Sequence, residues 1–185
     1  MPSGKNQRLR YKRRESGLTD YRRRLRLLRG NIPRAVVRVS NTQTTCQLVE
    51  YAKQGDRVLV QMKSSNLAKE HGWPSDASKK AIPASYLTGY ALGKKAVASG
   101  VKTAVLDIGL AASSNGNRVY AALKGMVDAG LEIPHGESVL PSEDRLMGRH
   151  INDTLESQVE TAKSSIEEAY ACLLYTSPSP RDLWI

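Results

Sequence analysis

Residues 34–63 read RAVVRVSNTQTTCQLVEYAKQGDRVLVQMK, three apolar-rich segments separated by two short polar turns. The first segment alternates apolar and polar side chains, which places Arg34, Arg38 and Ser40 on the face away from the core. Such a face can continue a basic surface. Because each turn is only a few residues long, we expect the three strands to form an antiparallel meander.

The second and third segments supply side chains for the core. We predict a second strand from Thr44 to Tyr51 and a third from Arg57 to Lys63. The residues expected to point inward are Cys46, Leu48, Val58, Val60 and Met62.

Helices and a further strand follow the meander. Pro83 opens a helix to about Ser99, whose small face with Gly89 and Gly93 is expected to pack closely on a sheet. Residues 103–108, TAVLDI, predict a buried strand parallel to a neighbour. The next helix starts near residues 115–118, NGNR.

This order predicts an α/β fold with one mixed sheet, an antiparallel three-strand meander plus a parallel strand. Helices pack on the sheet, and the chain adds a basic N-terminal arm and a helical C-terminal extension. We divide it into an arm with a short helix at 1–30, an α/β domain at 31–135 and an acidic helical extension at 136–170. In the extension, helices are expected to start at Ser142 and near Asp153.

The arm and the first strand after it concentrate the positive charge of the protein. Thirteen cations and two acids lie between Lys5 and Arg38, a net charge of +11, whereas the whole chain carries +10. So uneven a distribution predicts a polyanionic partner. Most of these cations are arginine, whose planar guanidinium pairs with phosphate and stacks on bases, which favours nucleic acid over a membrane surface.

A short helix is expected within the arm. Thr19 is a suitable N-cap, with Asp20 in the first turn. Helical spacing places Tyr21, Leu25 and Leu28 on one stripe, which we expect to dock on the domain. The neighbouring stripe carries the arginines Arg22, Arg26 and Arg29.

Two further segments could contact an anion. The loop before the Pro83 helix carries Lys79 and Lys80. Asn117 and Arg118 lie at a helix N-terminus, where free N–H groups favour negative charge. Loop and cap requirements alone also explain the Gly and Asn residues of this segment.

Catalytic and metal-binding patterns are weak. A metal-dependent nuclease on an RNase H-like α/β fold is the alternative interpretation, but it needs several converging carboxylates and only Asp107 ends a buried strand. His71, His135 and His150 are isolated, so no metal or cofactor is expected. No run of about 18 apolar residues predicts a membrane span. We therefore expect a binding protein and no enzyme.

Five blocks in the chain closely resemble the ribosomal protein L-eighteen family of the archaeal and eukaryotic type. They span about residues 5 to 165. The blocks are Thr19-Asp20-Tyr21 before an arginine–leucine helix, PRAVVRVSN at 33–41, SYLTGYALGKKA at 85–96, AVLDIGL at 104–110 and DAGLEIPH at 128–135. The family often carries Lys-His after the Ser-Asn pair, where Thr42 and Gln43 stand here.

The resemblance implies a structural protein of the large subunit that binds 5S rRNA in the central protuberance. It also implies contacts with large-subunit rRNA and a neighbouring 5S-binding ribosomal protein, a cytoplasmic ribosome-bound location, and no homo-oligomer. The family resemblance also implies that Ser40 and Asn41 contact rRNA. Together the predicted rRNA-binding residues are Lys5, Arg8, Arg10, Tyr11, Lys12, Arg13, Arg14, Tyr21, Arg22, Arg23, Arg24, Arg26, Arg29, Arg34, Arg38, Ser40, Asn41, Lys79, Lys80, Asn117 and Arg118.

The end of the chain departs from the family pattern. Residues 172–182, CLLYTSPSPRD, resemble the in-frame translation of a sequencing-library adapter. This predicts a non-native tail at 171–185 and a native sequence that ends near Ala171.

Overall fold

A computed structural model describes residues 4, 10–152 and 154–175. The predicted contacts Lys5 and Arg8, and the tail from residue 176, lie outside them. The described elements are, in chain order, α1 (Lys12–Glu15), α2 (Tyr21–Leu28), β1 (Arg34–Val39), β2 (Thr44–Glu50), β3 (Arg57–Lys63), α3 (Ser64–Glu70), α4 (Ile82–Ala98), β4 (Val105–Asp107), α5 (Arg118–Asp128), a 3-10 turn (Glu137–Val139), α6 (Glu143–Met147) and α7 (Thr154–Tyr175).

The four strands form one sheet in the order β3-β2-β1-β4. β1, β2 and β3 pair antiparallel, and β4 runs parallel to β1 with Leu106 opposite Ala35. The predicted meander with one added parallel strand is therefore confirmed. β4 is shorter than expected because Thr103 pairs instead with Glu132, in an isolated bridge outside the sheet.

A β-bulge in β3 overturns the prediction that Val58 points inward. Leu48 pairs with Val60, but the next residue of β2, Val49, pairs with Val58, so Leu59 is an extra residue. Because neighbouring residues of a strand point to opposite faces, Val58 shares the face of Val49. It is 46% exposed. The other predicted inward residues are buried, namely Cys46, Leu48, Val60 and Met62.

Helix α4 lies at the centre of the helical layer. Every residue from Ile82 to Gly93 is buried. The helix contacts β2 and β3 on one side, and α3, α5, α6 and α7 around the rest. A helix without a polar face is stable only when other elements cover it on all sides.

Glycines bring the backbones of α4 and α5 into direct contact. A Cβ added to Gly89 would lie 2.0 Å from the carbonyl oxygen of Ala122, and one added to Gly125 would lie 2.1 Å from that of Tyr86. The prediction that the small face of α4 packs on a sheet is therefore wrong, since that face packs on α5. Periodicity identifies a small face but does not identify the element that meets it.

The C-terminal helices complete this layer. α6 starts after Ser142, as predicted, whereas the predicted start of the next helix at Asp153 lies outside the described residues. α7 packs its thin apolar stripe on α4. The buried residues of that stripe are Leu155, Val159, Ala162 and Ile166. The proposed division of the chain at residues 30, 135 and 170 stays a prediction.

The arm helix α2 begins one residue later than the predicted cap implies. Its N-cap is Asp20, whose carboxylate accepts hydrogen bonds from the backbone N–H groups of Arg22 at 2.9 Å and Arg23 at 3.1 Å. The prediction of Thr19 as N-cap is wrong, because the carboxylate of the next residue satisfies two free N–H groups at once.

The docking face of α2 also differs from the prediction. Leu25 is 59% exposed, whereas Tyr21, Leu27 and Leu28 are half-buried. Arg24 faces the sheet, and a side chain one residue further along a helix points about 100° away. An ion pair, rather than the leucine stripe, therefore sets the rotation of the helix.

Candidate nucleic-acid interface

A cleft separates α2 from the outward face of the sheet, the face opposite α4. Its floor includes Val36, Gln47 and Val49. Arg13 and Leu18 lie at its border. The arm is thus held against the domain instead of projecting from it, and its exposed cations lie beside the sheet.

Three arginines and two aspartates fix α2 in this place. Arg24 donates to Asp56 at 2.6 Å, and Arg34 donates to Asp56 and to Asp107 at 2.7 Å each. Arg38 donates to the carboxylate of Asp107 at 3.0 Å and to its backbone carbonyl at 2.7 Å. We call these five residues the arm network. It joins the arm, β1, β4 and the turn before β3.

The arm network keeps both carboxyl groups ionised. The hydrogen bond from Arg24 is the main cause of the lowered pKa of Asp56. Burial raises the pKa of Asp107, but the charge and hydrogen bond of Arg38, a backbone N–H and Arg34 together lower it below its usual range. The contact with Asp56 in turn raises the pKa of Arg24.

Arg34 limits the prediction that the outward face of β1 can continue the basic surface. Its side chain is buried, with 3% of the residue exposed, and both terminal nitrogens bind carboxylates. Arg34 thus belongs to the arm network, and its predicted contact with rRNA stays a prediction. Arg38 on the same face is exposed, but it also donates to Asp107. Both arginines are engaged because Asp56 and Asp107, which come from distant parts of the chain, lie beside them.

Asp107 is also the carboxylate on which the nuclease alternative depended. Its two oxygens accept hydrogen bonds from Arg34 and Arg38, and the backbone N–H of Gly109 adds a third at 2.9 Å. Across the described part of the chain, no group of three or more His, Cys, Asp or Glu side chains is placed to hold a metal ion. The geometry at this strand end is that of a structural ion pair.

The predicted arginine stripe of α2 is exposed to solvent. Arg22, Arg26 and Arg29 all lie on the surface, away from the arm network. Arg23 is exposed as well, although its guanidinium donates to the carbonyl of Gly109 at 2.5 Å. The helix therefore presents cations in a fixed array. In the preceding segment the predicted residues Arg10, Lys12, Arg13 and Arg14 are exposed too.

Two tyrosines lie beside these cations. The ring centroids of Tyr11 and Tyr21 are 5.5 Å apart, with the planes inclined by 37°. Tyr11 is 73% exposed, so one face of its ring is open to a base, while Tyr21 is half-buried beneath it. This arrangement is suited to stacking on an unpaired nucleotide.

The two predicted contact residues in the turn between β1 and β2, Ser40 and Asn41, have different roles. The hydroxyl of Ser40 donates to the carbonyl of Gln43 at 2.9 Å and accepts from the N–H groups of Gln43 and Thr42. Ser40 therefore shapes the turn. Asn41 stands exposed at its tip.

A second basic site forms at the start of α5. The structure brings Lys80, Asn117 and Arg118 together along one shallow groove, which Arg145 and His150 also line. We call this the α5 groove. It shares no lining residue with the arm cleft. Lys79 is half-buried and does not line the groove, so the two neighbouring lysines have different surroundings.

Sequence reasoning missed several of these residues for one reason. The sequence around Asp56 has only the pattern of a turn, and Arg145 and His150 lie in an acidic, polar segment without a motif. The roles of these three residues depend on contacts with residues more than 20 positions away along the chain, and local spacing in the sequence does not reveal such contacts. The excess of arginine near β1 could have prompted a search for buried acids.

Fold and site together define a class of protein. A mixed α/β sheet holds a cationic arm by a network of ion pairs and presents arginine and tyrosine side chains, as a protein that binds folded nucleic acid does. No helix among the described residues has both the length and the apolar character required to cross a membrane.

The chain belongs to the family of ribosomal large subunit proteins 60S L5 and 50S L18, whose family model matches residues 5–102 and 97–136. It is 46% identical over 157 residues to the large ribosomal subunit protein uL18 of Methanobrevibacter smithii, covering 85% of this chain and 80% of that protein. It is 42% identical over 183 residues to uL18 of Methanothermobacter thermautotrophicus, covering 99% and 92%. For uL18 of Haloferax volcanii the identity is 46%, covering 84% and 83%. The family resemblance inferred from the five blocks is confirmed, and the protein is of a ribosomal, structural kind.

Proposed function

We propose that this chain is a structural constituent of the large ribosomal subunit that binds 5S rRNA and helps to attach it to large-subunit rRNA in the central protuberance. The observation that carries the proposal is the docked arm helix, with Arg22, Arg26 and Arg29 exposed on its surface. Membership in the ribosomal family supplies the setting.

The arm network explains why such binding would be efficient. A disordered arm loses conformational entropy when it is ordered on RNA. Here the ion pairs of Arg24 with Asp56 and of Arg34 with both acids have already placed α2 on the sheet. The exposed arginines can then displace counterions from phosphates without first folding the helix.

Recognition of a folded RNA requires shape as well as charge. The α/β domain fixes the direction of the arm, the tip of the β1–β2 turn offers Asn41, and Tyr11 offers a stacking surface. Because structured RNA is recognised through its backbone shape and its splayed bases, these groups suit 5S rRNA better than a uniform duplex. The proposal also includes neighbouring 5S-binding ribosomal proteins as partners, the absence of a homo-oligomer and a cytoplasmic, ribosome-bound location.

Competition binding tests the proposed function. The purified chain would be titrated into 5S rRNA and into an unrelated RNA of equal length, in gel-shift assays at about 0.15 M salt. We expect 5S rRNA to bind at least tenfold more tightly. Equal affinity for the two RNAs would show non-specific polyanion binding and refute the proposal.

A further inference from the structure

The α5 groove collects cations from three separate parts of the chain. Lys80 precedes α4, Arg118 opens α5 and Arg145 belongs to α6. Arg145 reaches towards the loop before α5, since a Cβ on Gly116 would lie 3.6 Å from its Nη1. His150 adds an exposed imidazole at the rim.

These side chains have no acidic partners in the described part of the chain. Among residues 10–152 and 154–175, no carboxylate lies within 4.0 Å of the side-chain nitrogens of Lys80, Arg118 or Arg145. The three arginines of the arm network, in contrast, are all paired with Asp56 or Asp107. The groove therefore keeps its positive potential.

One acid next to the groove is already bound by another arginine. Asp144 precedes Arg145 in the chain but pairs with Arg149 at 2.8 Å. Arg149 also pairs with Glu156 at 2.5 Å on α7. Asp144 is thereby engaged by Arg149, and no lining residue of the groove is acidic.

We propose that the α5 groove is a second binding site for RNA phosphates, in which Arg145 and Arg118 are the principal contacts and Lys80 and His150 flank them. The inference rests on the proposed function and deepens it, because it adds Arg145 and His150 to the RNA-binding surface. Arginine at two positions favours phosphate, which its planar guanidinium can bind through two hydrogen bonds.

The loop between β4 and α5 links the groove to the arm. Gly109, Leu110 and Ala111 line the arm cleft, and residues 114–118 line the groove. Only uncharged residues lie between Asp107 and Arg118. An RNA strand that runs from the arm over this loop and into the groove would therefore meet no acidic residue of the loop itself.

Charge-matched variants of the full chain test the groove. We would compare the Arg118→Gln/Arg145→Gln double variant with Lys95→Gln/Lys102→Gln, a control that removes two exposed cations near the far end of α4, roughly 20 Å away. Each protein would be titrated with 5S rRNA and with large-subunit rRNA at several salt concentrations. The groove variant should bind about tenfold more weakly, with a salt slope shallower by about 1.5.

The possible results separate the two proposals. If the wild-type chain binds rRNA and the groove variant matches the control, the groove inference is wrong and the proposed function stands. If the wild-type chain binds neither RNA, both fail. Tighter binding of poly-glutamate than of RNA, lost in the groove variant, would identify an acidic protein as the ligand and overturn the inference.

Folding must be separated from binding in this experiment. Arg118 is half-buried at the first turn of α5, so its replacement could disturb the helix. Lys80→Gln/His150→Gln changes two exposed side chains of the same groove and avoids that risk. It should reduce affinity in the same direction, whereas wild-type affinity in this variant would contradict the proposal.

Discussion

Arg34 and Arg38 show how far two similar residues can differ in role. They are on the same face of β1, yet Arg34 is buried between Asp56 and Asp107 while Arg38 lies at the exposed edge of the arm network. A buried charge is tolerated only when its partners satisfy it. The role of each arginine therefore follows from the acids around it.

Replacing Arg34 with Ala should destabilise the fold strongly. Removal of the guanidinium would leave Asp107, which is only 6% exposed, without one of its two arginine partners, and the expected loss in free energy of unfolding is about 3 kcal/mol. Urea denaturation measures this loss. Arg26→Ala, at an exposed position of α2, should change stability by no more than about 0.5 kcal/mol. Equal stability of the two variants would show that the buried pair is dispensable.

The lowered pKa values of Asp56 and Asp107 predict a dependence of stability on pH. In the folded state both carboxyls bind protons less readily than in the unfolded state, whose pKa is about 4. Their stabilising effect is therefore complete above about pH 4 and is lost as the pH falls through the lower folded values. Unfolding by urea at pH 7, 5, 4 and 3 measures it. The Asp107→Asn variant should lose less stability between pH 5 and pH 3 than the wild type, and an equal or larger loss would contradict the assignment.

At the scale of elements, two helices are positioned by very different contacts. The arm helix α2 is held by ion pairs and half-buried side chains, while α4 and α5 meet backbone to backbone at Gly89 and Gly125. Interiors are close-packed, so the second contact tolerates almost no added volume. We expect the helical layer to be the most resistant part of the fold and α2 to open locally first.

Gly89→Ala tests the contact between α4 and α5. The new methyl group would have to displace the backbone carbonyl of Ala122, only 2.0 Å from its position, which should cost about 3 kcal/mol despite the better helix propensity of alanine. Thermal and urea unfolding measure the change. Gly136→Ala is the matched control, because no atom lies nearer than 4.0 Å and the φ of −91° suits alanine. A neutral Gly89→Ala variant would mean that the helices separate at little cost.

At the scale of the whole molecule, charge and fold are segregated. The segment from Lys5 to Arg38 carries +11 and the remaining chain is almost neutral. The arm network uses a few of these cations to attach the arm, and the exposed ones remain for a partner. One protein thereby combines a neutral, well-packed body with a surface of high positive potential.

This segregation predicts a steep dependence of RNA binding on salt. If roughly eight phosphates are neutralised, the logarithm of the 5S rRNA affinity should fall with the logarithm of salt concentration with a slope of about −7. Replacing Arg22, Arg26 and Arg29 with Gln should reduce the steepness by about 2, because three phosphate contacts are lost. The matched control replaces the exposed lysines Lys69, Lys95 and Lys102 with Gln. An equal change of slope in both variants would show that only total charge matters.

Much of this architecture is visible in the sequence. The alternation in residues 34–63, the short turns and the apolar run before Gly109 predicted the mixed sheet, because strand patterns depend on neighbouring residues alone. Arginine spacing likewise predicted the exposed stripe of α2. The outward position of Val58 was not predicted, since a bulge is a property of two paired strands. The N-cap of α2 was predicted one residue too early, because Thr19 and Asp20 could both fill that position.

The sequence by itself determined the order of the elements, the membership of the family and the place of the positive charge, since each depends on residue type and local spacing. Tertiary structure alone decided which arginines are buried, which helix face meets α5 and that Lys80, Arg118 and Arg145 share a groove. Those outcomes depend on contacts between residues far apart in the chain, whose distances are set only when all the elements pack together.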